Sequence, residues 1–206
     1  MAPRTYTQVR RADSAAETRA RVRKSALQLY HERGVAATTI QAVAERADVA
    51  RGTVLNHFGG ADGLLDAVLD DIVRRLEYPD ERLLEGAADR AERITRYVDA
   101  MFRFLVRSET DWPAFSRDLD HPILRQREAD YYAVVARLYA AAFGELATDR
   151  YVAAAARAYV NYGPLNDLRD AGLSIDESIE LVAQSLIDIA AEAAQRTGEV
   201  GSRRKA

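Results

Sequence analysis

The stretch "TTIQAVAERADVARGTVLNHF", residues 38–58, settles how the rest of the chain is organised. Thr38 or Thr39 is placed to cap a first short helix over 39–47, because a hydroxyl there accepts from an otherwise unpaired backbone N–H. Ile40, Val43 and Ala44 share one face at helical spacing, and the small Ala47 lets two helices approach at a tight turn. Val49 anchors that turn in the core. A second helix over 51–58 points Val54 and Phe58 inward. At about 100° per residue, Gly52 and Asn56 then lie on the opposite side, flanked by Thr53 and Leu55. A glycine on an exposed helical face weakens the helix, so it marks a backbone that another molecule must approach. These are the elements of a helix-turn-helix that reads the major groove of DNA.

Charge supports that reading. The 206-residue chain has a net charge of −3, yet residues 1–60 carry +5, which leaves −8 for the remainder. A basic end on an acidic body is the footprint of a nucleic-acid-facing segment. Helical periodicity continues on both sides, and alternating strand patterns are nearly absent. One helix spans about Ser14 to Arg33, with Val22, Ala26, Leu29 and Tyr30 on its buried stripe and Gly34 as its stop signal. Leu64 to Leu76, Ile94 to Val106, Trp112 to Leu119 and Ile123 to Phe143 read as further helices. The alanine-rich stretch 149–162 runs into Gly163-Pro164, which interrupts or kinks it. A last helix over about 174–196 places Ile175, Ile179, Val182, Leu186, Ile189 and Ala193 on a narrow seam suited to near-parallel helix packing.

The segments "TTIQAVAERADV", "RGTVLNHF" and "GLLDAVL" together resemble the tetracycline-repressor (TetR) family of transcriptional regulators over roughly residues 18–70. The resemblance implies an all-α fold: an N-terminal three-helix DNA-binding domain with a helix-turn-helix, plus a larger helical ligand-binding and dimerisation domain. It also implies a repressor that holds a palindromic operator as a homodimer and is released by a small-molecule effector. By position, Arg51, Gly52, Thr53, Asn56 and His57 would face the operator, and Thr39 a phosphate. Arginine pairs with guanine or phosphate and asparagine reads adenine, so the residue types suit those places. Arg19, Arg21, Arg23 and Lys24 would add sequence-independent attraction. Four positions depart from the family pattern. The turn usually has glycine where Asp48 stands, and a serine or threonine cap where Ala50 stands. Asp48 is the alternative cap. A tyrosine is typical at Leu55 and a lysine is common at Ala61. Weaker backbone contact follows, with Leu55 suited instead to a thymine methyl. The alternative reading is a dimeric small-molecule-binding protein of the same fold with weakened or lost DNA binding.

The expected organisation is a flexible basic tail over 1–13, the DNA-binding domain over 14–60, the ligand-binding and dimerisation domain over 61–197, and a flexible tail over 198–206. Tyr97, Met101, Phe104, Trp112, Phe115, Tyr131 and Tyr132 form an aromatic and methionine population suited to a small apolar or aromatic effector. His121, Asn161, Tyr162 and Asn166 are its candidate polar partners. The smooth Ala153–Ala156 surface and the terminal seam are expected to join two copies through the last two helices. With no cysteine, thiolate metal sites and thiol nucleophiles are excluded. There is no paired Glu-x-x-His motif, no Walker loop and no Gly-x-Gly-x-x-Gly fingerprint. "GGADG" at 59–63 lacks a preceding strand and the lysine, and so reads as a turn between helices. Neither an enzyme nor a cofactor or metal requirement is expected. Without a signal-length apolar start or a bilayer-length apolar run, a cytoplasmic protein with no membrane partner is expected.

Overall fold

The fold is taken from a computed structural model that describes the backbone of residues 3–203 and the side chains of 13–196. Residues 1–2 and 204–206, parts of the two expected tails, lie outside the described residues. Ten α-helices and two short 3-10 turns, with no strand, make up the described chain. Helix α1 (Pro3–Arg33) starts well before Ser14, so most of the stretch assigned to a tail is helical. No glycine or further proline separates Pro3 from Arg33, and proline at the first helical position favours a start there. Gly34 ends α1 as expected, at φ +87° with its N–H on the Tyr30 carbonyl at 2.9 Å.

Helices α2 (Ile40–Arg46) and α3 (Arg51–Phe58) follow, then α4 (Ala61–Leu76), α5 (Arg90–Ser108), α6 (Trp112–Ser116) and α7 (Pro122–Phe143). The alanine-rich stretch forms α8 (Arg150–Tyr159) and stops before the glycine and proline, at Val160 with ψ 70°. Asn161 accepts from the Gly163 N–H and opens a separate helix, α9 (Tyr162–Asp170), whose first turn holds Gly163 and Pro164. Proline is at home in a first turn, where its missing N–H has no helical partner to lose. Helix α10 (Ile175–Arg203) begins with a reciprocal cap: Ser174 Oγ accepts from the Glu177 N–H at 3.2 Å, and Glu177 Oε2 accepts from the Ser174 N–H at 2.8 Å.

The chain divides into two compact units, Met1–Leu76 with Glu109–Glu128, and Glu77–Ser108 with Ala129–Ala206. A single cut at 60/61 does not describe this division. Leu64, Leu65, Val68, Leu69 and Ile72 of α4 are buried, α4 packs on α1 and α3, and α6 packs on α1. The first unit is therefore a three-helix head extended by α4 and a returning segment. In the second unit α10 packs on α5 and α8 around Phe102, Leu138, Phe143, Val152 and Leu186. The seam expected at a dimer interface is largely used here: Ile179, Val182, Leu186 and Ala193 are buried in this core.

Candidate nucleic-acid interface

Within the first unit, Thr39 is the cap of α2, its Oγ accepting from the Ala42 N–H at 3.2 Å, while Thr38 donates to the Gly34 carbonyl. The turn passes through Asp48 at φ 51°, a left-handed conformation that aspartate tolerates better than most residues. Asp48 does not cap α3, contrary to the expected alternative. The cap position is Ala50, with no side-chain hydrogen bond. Val54 is fully buried and Phe58 half-buried beneath the helix. Arg51, Gly52 and Asn56 are exposed on the other side, with Thr53, Leu55 and His57 half-buried at its edges. A Cβ placed on Gly52 would meet nothing within 4 Å, so no internal packing accounts for this glycine. Ala61, the position with a common family lysine, is exposed at the start of α4.

The expected basic surface is partly consumed from within. Arg21 Nε donates to the Ala47 carbonyl at 2.9 Å and ties α1 to the turn. Arg23 pairs with Asp71, and Arg46 with Glu32. Arg46 and Glu32 hold each other charged: their hydrogen bond lowers the glutamate pKa and raises that of the arginine. Among the described residues Arg19, Lys24, Arg33 and Arg51 make no ion pair, and these remain available to a polyanion. The electrostatic reach of the head is thus narrower than a count of its cations suggests.

The expected effector residues are split. Trp112, Phe115 and His121 belong to the first unit. There the Phe115 ring meets Tyr30 edge-on at 6.1 Å, and His121 Nε2 lies 3.5 Å from Asp62. In the second unit Phe104 stacks on Tyr131 at 5.4 Å, Tyr78 meets both rings edge-on, and Tyr132 tilts against Tyr131. Tyr97 and Met101 are buried on the same face of α5. Tyr162 OH and Ser108 Oγ are 2.7 Å apart. Burial pushes the Tyr97 and Tyr131 hydroxyls well above the usual phenol range, so both stay neutral donors. Asn161 is committed to capping and to the Arg157 and Ala158 carbonyls, and Asn166 is exposed on α9. Tyr78 and Ser108 escaped the sequence reading. Ser108 continues the α5 spacing of Tyr97, Met101 and Phe104, a signal that was there to be used.

A short capped helix, a tight turn and a second helix with its outer face bare define a helix-turn-helix protein. Residues 22–68 match the family described as bacterial regulatory proteins, tetR family. The HTH-type transcriptional repressor Rv3405c of Mycobacterium tuberculosis is 40% identical over 95 residues, covering 46% of this chain and 48% of that protein. TtgR of Pseudomonas putida, an HTH-type transcriptional regulator, is 40% identical over 63 residues, 31% of this chain and 30% of its own. The chain thus spans about half the length, or less, of these relatives. Among solved structures, the multidrug binding protein EbrR shares the fold with a TM-score of 0.55 at 23% identity, over 84% of this chain and 89% of its own. A Clostridium perfringens protein does so with a TM-score of 0.60 at 17% identity, over 82% and 97%. No helix among the described residues is long and apolar enough to cross a membrane.

Proposed function

We propose that this chain is a cytoplasmic transcriptional repressor that binds a palindromic operator as a homodimer and releases it when a small apolar or aromatic effector binds. The observation that carries the reading is the outer face of α3, where exposed Arg51 and Asn56 flank a glycine with open space above it. Arg51, Gly52, Thr53, Leu55, Asn56 and His57 contact the major groove, with Thr39 on a phosphate. The relatives named as transcriptional regulators support a regulator over an enzyme. Two reading helices about one turn of DNA apart require two copies. Because the α10 seam is already buried, we assign the dimer contact to outward groups of the final helices, Tyr151, Ala154 and Tyr159 of α8 and Leu181 of α10. The effector contacts the cluster of Tyr78, Phe104, Tyr131, Tyr132 and Tyr162, and its differential affinity for two states of the dimer sets how much DNA is released.

The test is DNA binding from a randomised duplex pool, followed by Arg51→Ala and Asn56→Ala. Each substitution should weaken the selected site about tenfold or more relative to random DNA, with the sedimentation of the protein unchanged. Equal affinity for selected and random duplexes in the wild-type chain would instead favour the second reading, a ligand-binding dimer with a lapsed reader. The uncapped Ala50 is the observation that favours that reading.

Asp48→Gly should move in the opposite direction. It relieves a left-handed residue by about 1 kcal/mol, a gain largely offset by the freer unfolded chain. The melting temperature should therefore change little. Removal of a negative charge beside α3 should tighten DNA binding severalfold at low salt, with the gain shrinking as salt screens it. A gain independent of salt would rule out this electrostatic account.

A further inference from the structure

Helix α3 has an unusual outer surface for a DNA reader: one arginine, one asparagine, a glycine and a leucine. Gly52 needs no positive φ, and a Cβ there would touch nothing within 4 Å. Its missing side chain leaves a notch in the helix surface. Residues three and four positions on share a helical face, so Leu55 and Asn56 border the notch, and Leu55 supplies its apolar wall. Leu55 is half-buried, so its stem is held while part of the side chain meets solvent. The major groove offers such a wall one apolar partner, the C5-methyl group of a pyrimidine.

We propose that Leu55 is a specificity residue that recognises a pyrimidine C5-methyl group brought close by the Gly52 notch. The inference rests on the DNA-reading function proposed above and names what the reader distinguishes. A methyl contact of this kind discriminates thymine from uracil, which no hydrogen-bonding contact to the same base edge does, because the two differ only in that methyl. The same chemistry is present on 5-methylcytosine.

The experiment uses the full-length protein and the duplex it selects from a randomised pool. Each thymine of one half-site is replaced in turn by deoxyuridine, and affinity is measured for the wild type, Leu55→Ala and Leu55→Gln. The wild type should lose about threefold to tenfold at one position per half-site, the order expected for one buried methyl. Both variants should bind the thymine and uracil duplexes within about twofold of each other at that position. Leu55→Gln keeps the length of the side chain, so the result does not rest on a truncated helix. At that position cytosine and 5-methylcytosine opposite guanine then separate the two sources. Recovery by 5-methylcytosine shows that the methyl suffices, and recovery by thymine alone shows that Leu55 acts together with a second thymine contact. The proposal is overturned if no deoxyuridine weakens wild-type binding, or if the same loss persists in both variants. Failure of the wild type to select any duplex would instead remove the DNA-reading function itself.

Discussion

Gly63→Ala is expected to misplace the reading helix, with DNA affinity falling by about tenfold or more, the cost of losing one good base contact. Gly63 is the third residue of α4, and a Cβ there would lie 1.9 Å from the Phe58 carbonyl oxygen, the last carbonyl of α3. Real Cβ atoms do not come that close to backbone, and the obstacle is not the yielding tip of a side chain. Relief requires α3 and α4 to separate by more than an ångström at the turn where Gly59 takes its left-handed φ of 77°. Two opposing effects act on stability. Alanine raises helix propensity by about 1 kcal/mol, whereas overpacking costs about 1–3 kcal/mol. A modest net loss is expected, with the junction yielding by a tilt of α3, and under the proposed function that tilt changes the surface the DNA meets. Geometry at a recognition site is held to about half an ångström, so binding should suffer more than folding. Equilibrium unfolding and DNA affinity measured on the same preparation check this. Gly63→Ala with wild-type affinity would show that the junction absorbs the methyl without moving α3.

The reading head was legible because its signals are local. Gly34 stops α1, Thr39 caps α2, and Val54 with its opposite face at Gly52 and Asn56 all depend on neighbours within a turn or two. Periodicity in α10 showed that Ile179, Val182 and Leu186 would be buried, but not against what. The same seam suits a partner subunit and the protomer's own α5, and the latter holds it. Residue type likewise grouped Trp112 and Phe115 with the other aromatics, although their place in the fold follows from the returning segment 109–128, which no local pattern announces. The same limit hid Gly63. It reads as a turn glycine, and only the position of the Phe58 carbonyl shows what its hydrogen makes room for. A buried internal constraint on the first unit was hidden for the same reason, because its three side chains are far apart in sequence.

That constraint is Asp111, and its replacement by alanine is expected to destabilise the first unit by about 2–3 kcal/mol. Asp111 is 3% exposed, one of four buried polar or charged residues among those described. It stands at the cap position of α6, yet makes no side-chain cap bond. Its carboxylate turns instead to His31 Nε2 of α1 at 2.9 Å and to Arg75 Nη2 of α4 at 2.5 Å. One buried group thus ties three helices, and nearby Asp118 Oδ2 accepts the Val35 N–H at 2.7 Å beside the end of α1. Loss of an isolated buried ion pair costs about 3–5 kcal/mol because the orphaned charge stays buried. Here the Arg75 side chain is 54% exposed and rehydrates readily, which brings the cost down. Asp111→Asn keeps the shape and one acceptor, so it should lose less than alanine. His31→Ala and Arg75→Ala should each lose less than Asp111→Ala, and neither loss should add fully to it in the double variants. Urea unfolding of the wild type, the four single variants and the two double variants measures these differences as midpoint shifts at constant slope. Full additivity would mean that the carboxylate holds the two helices through something other than these bonds. Because α4 also carries Gly63 under the reading helix, Asp111→Ala should loosen DNA binding along with stability, whereas an equal loss of stability from a truncation in the core of the second unit should leave the selectivity of α3 intact.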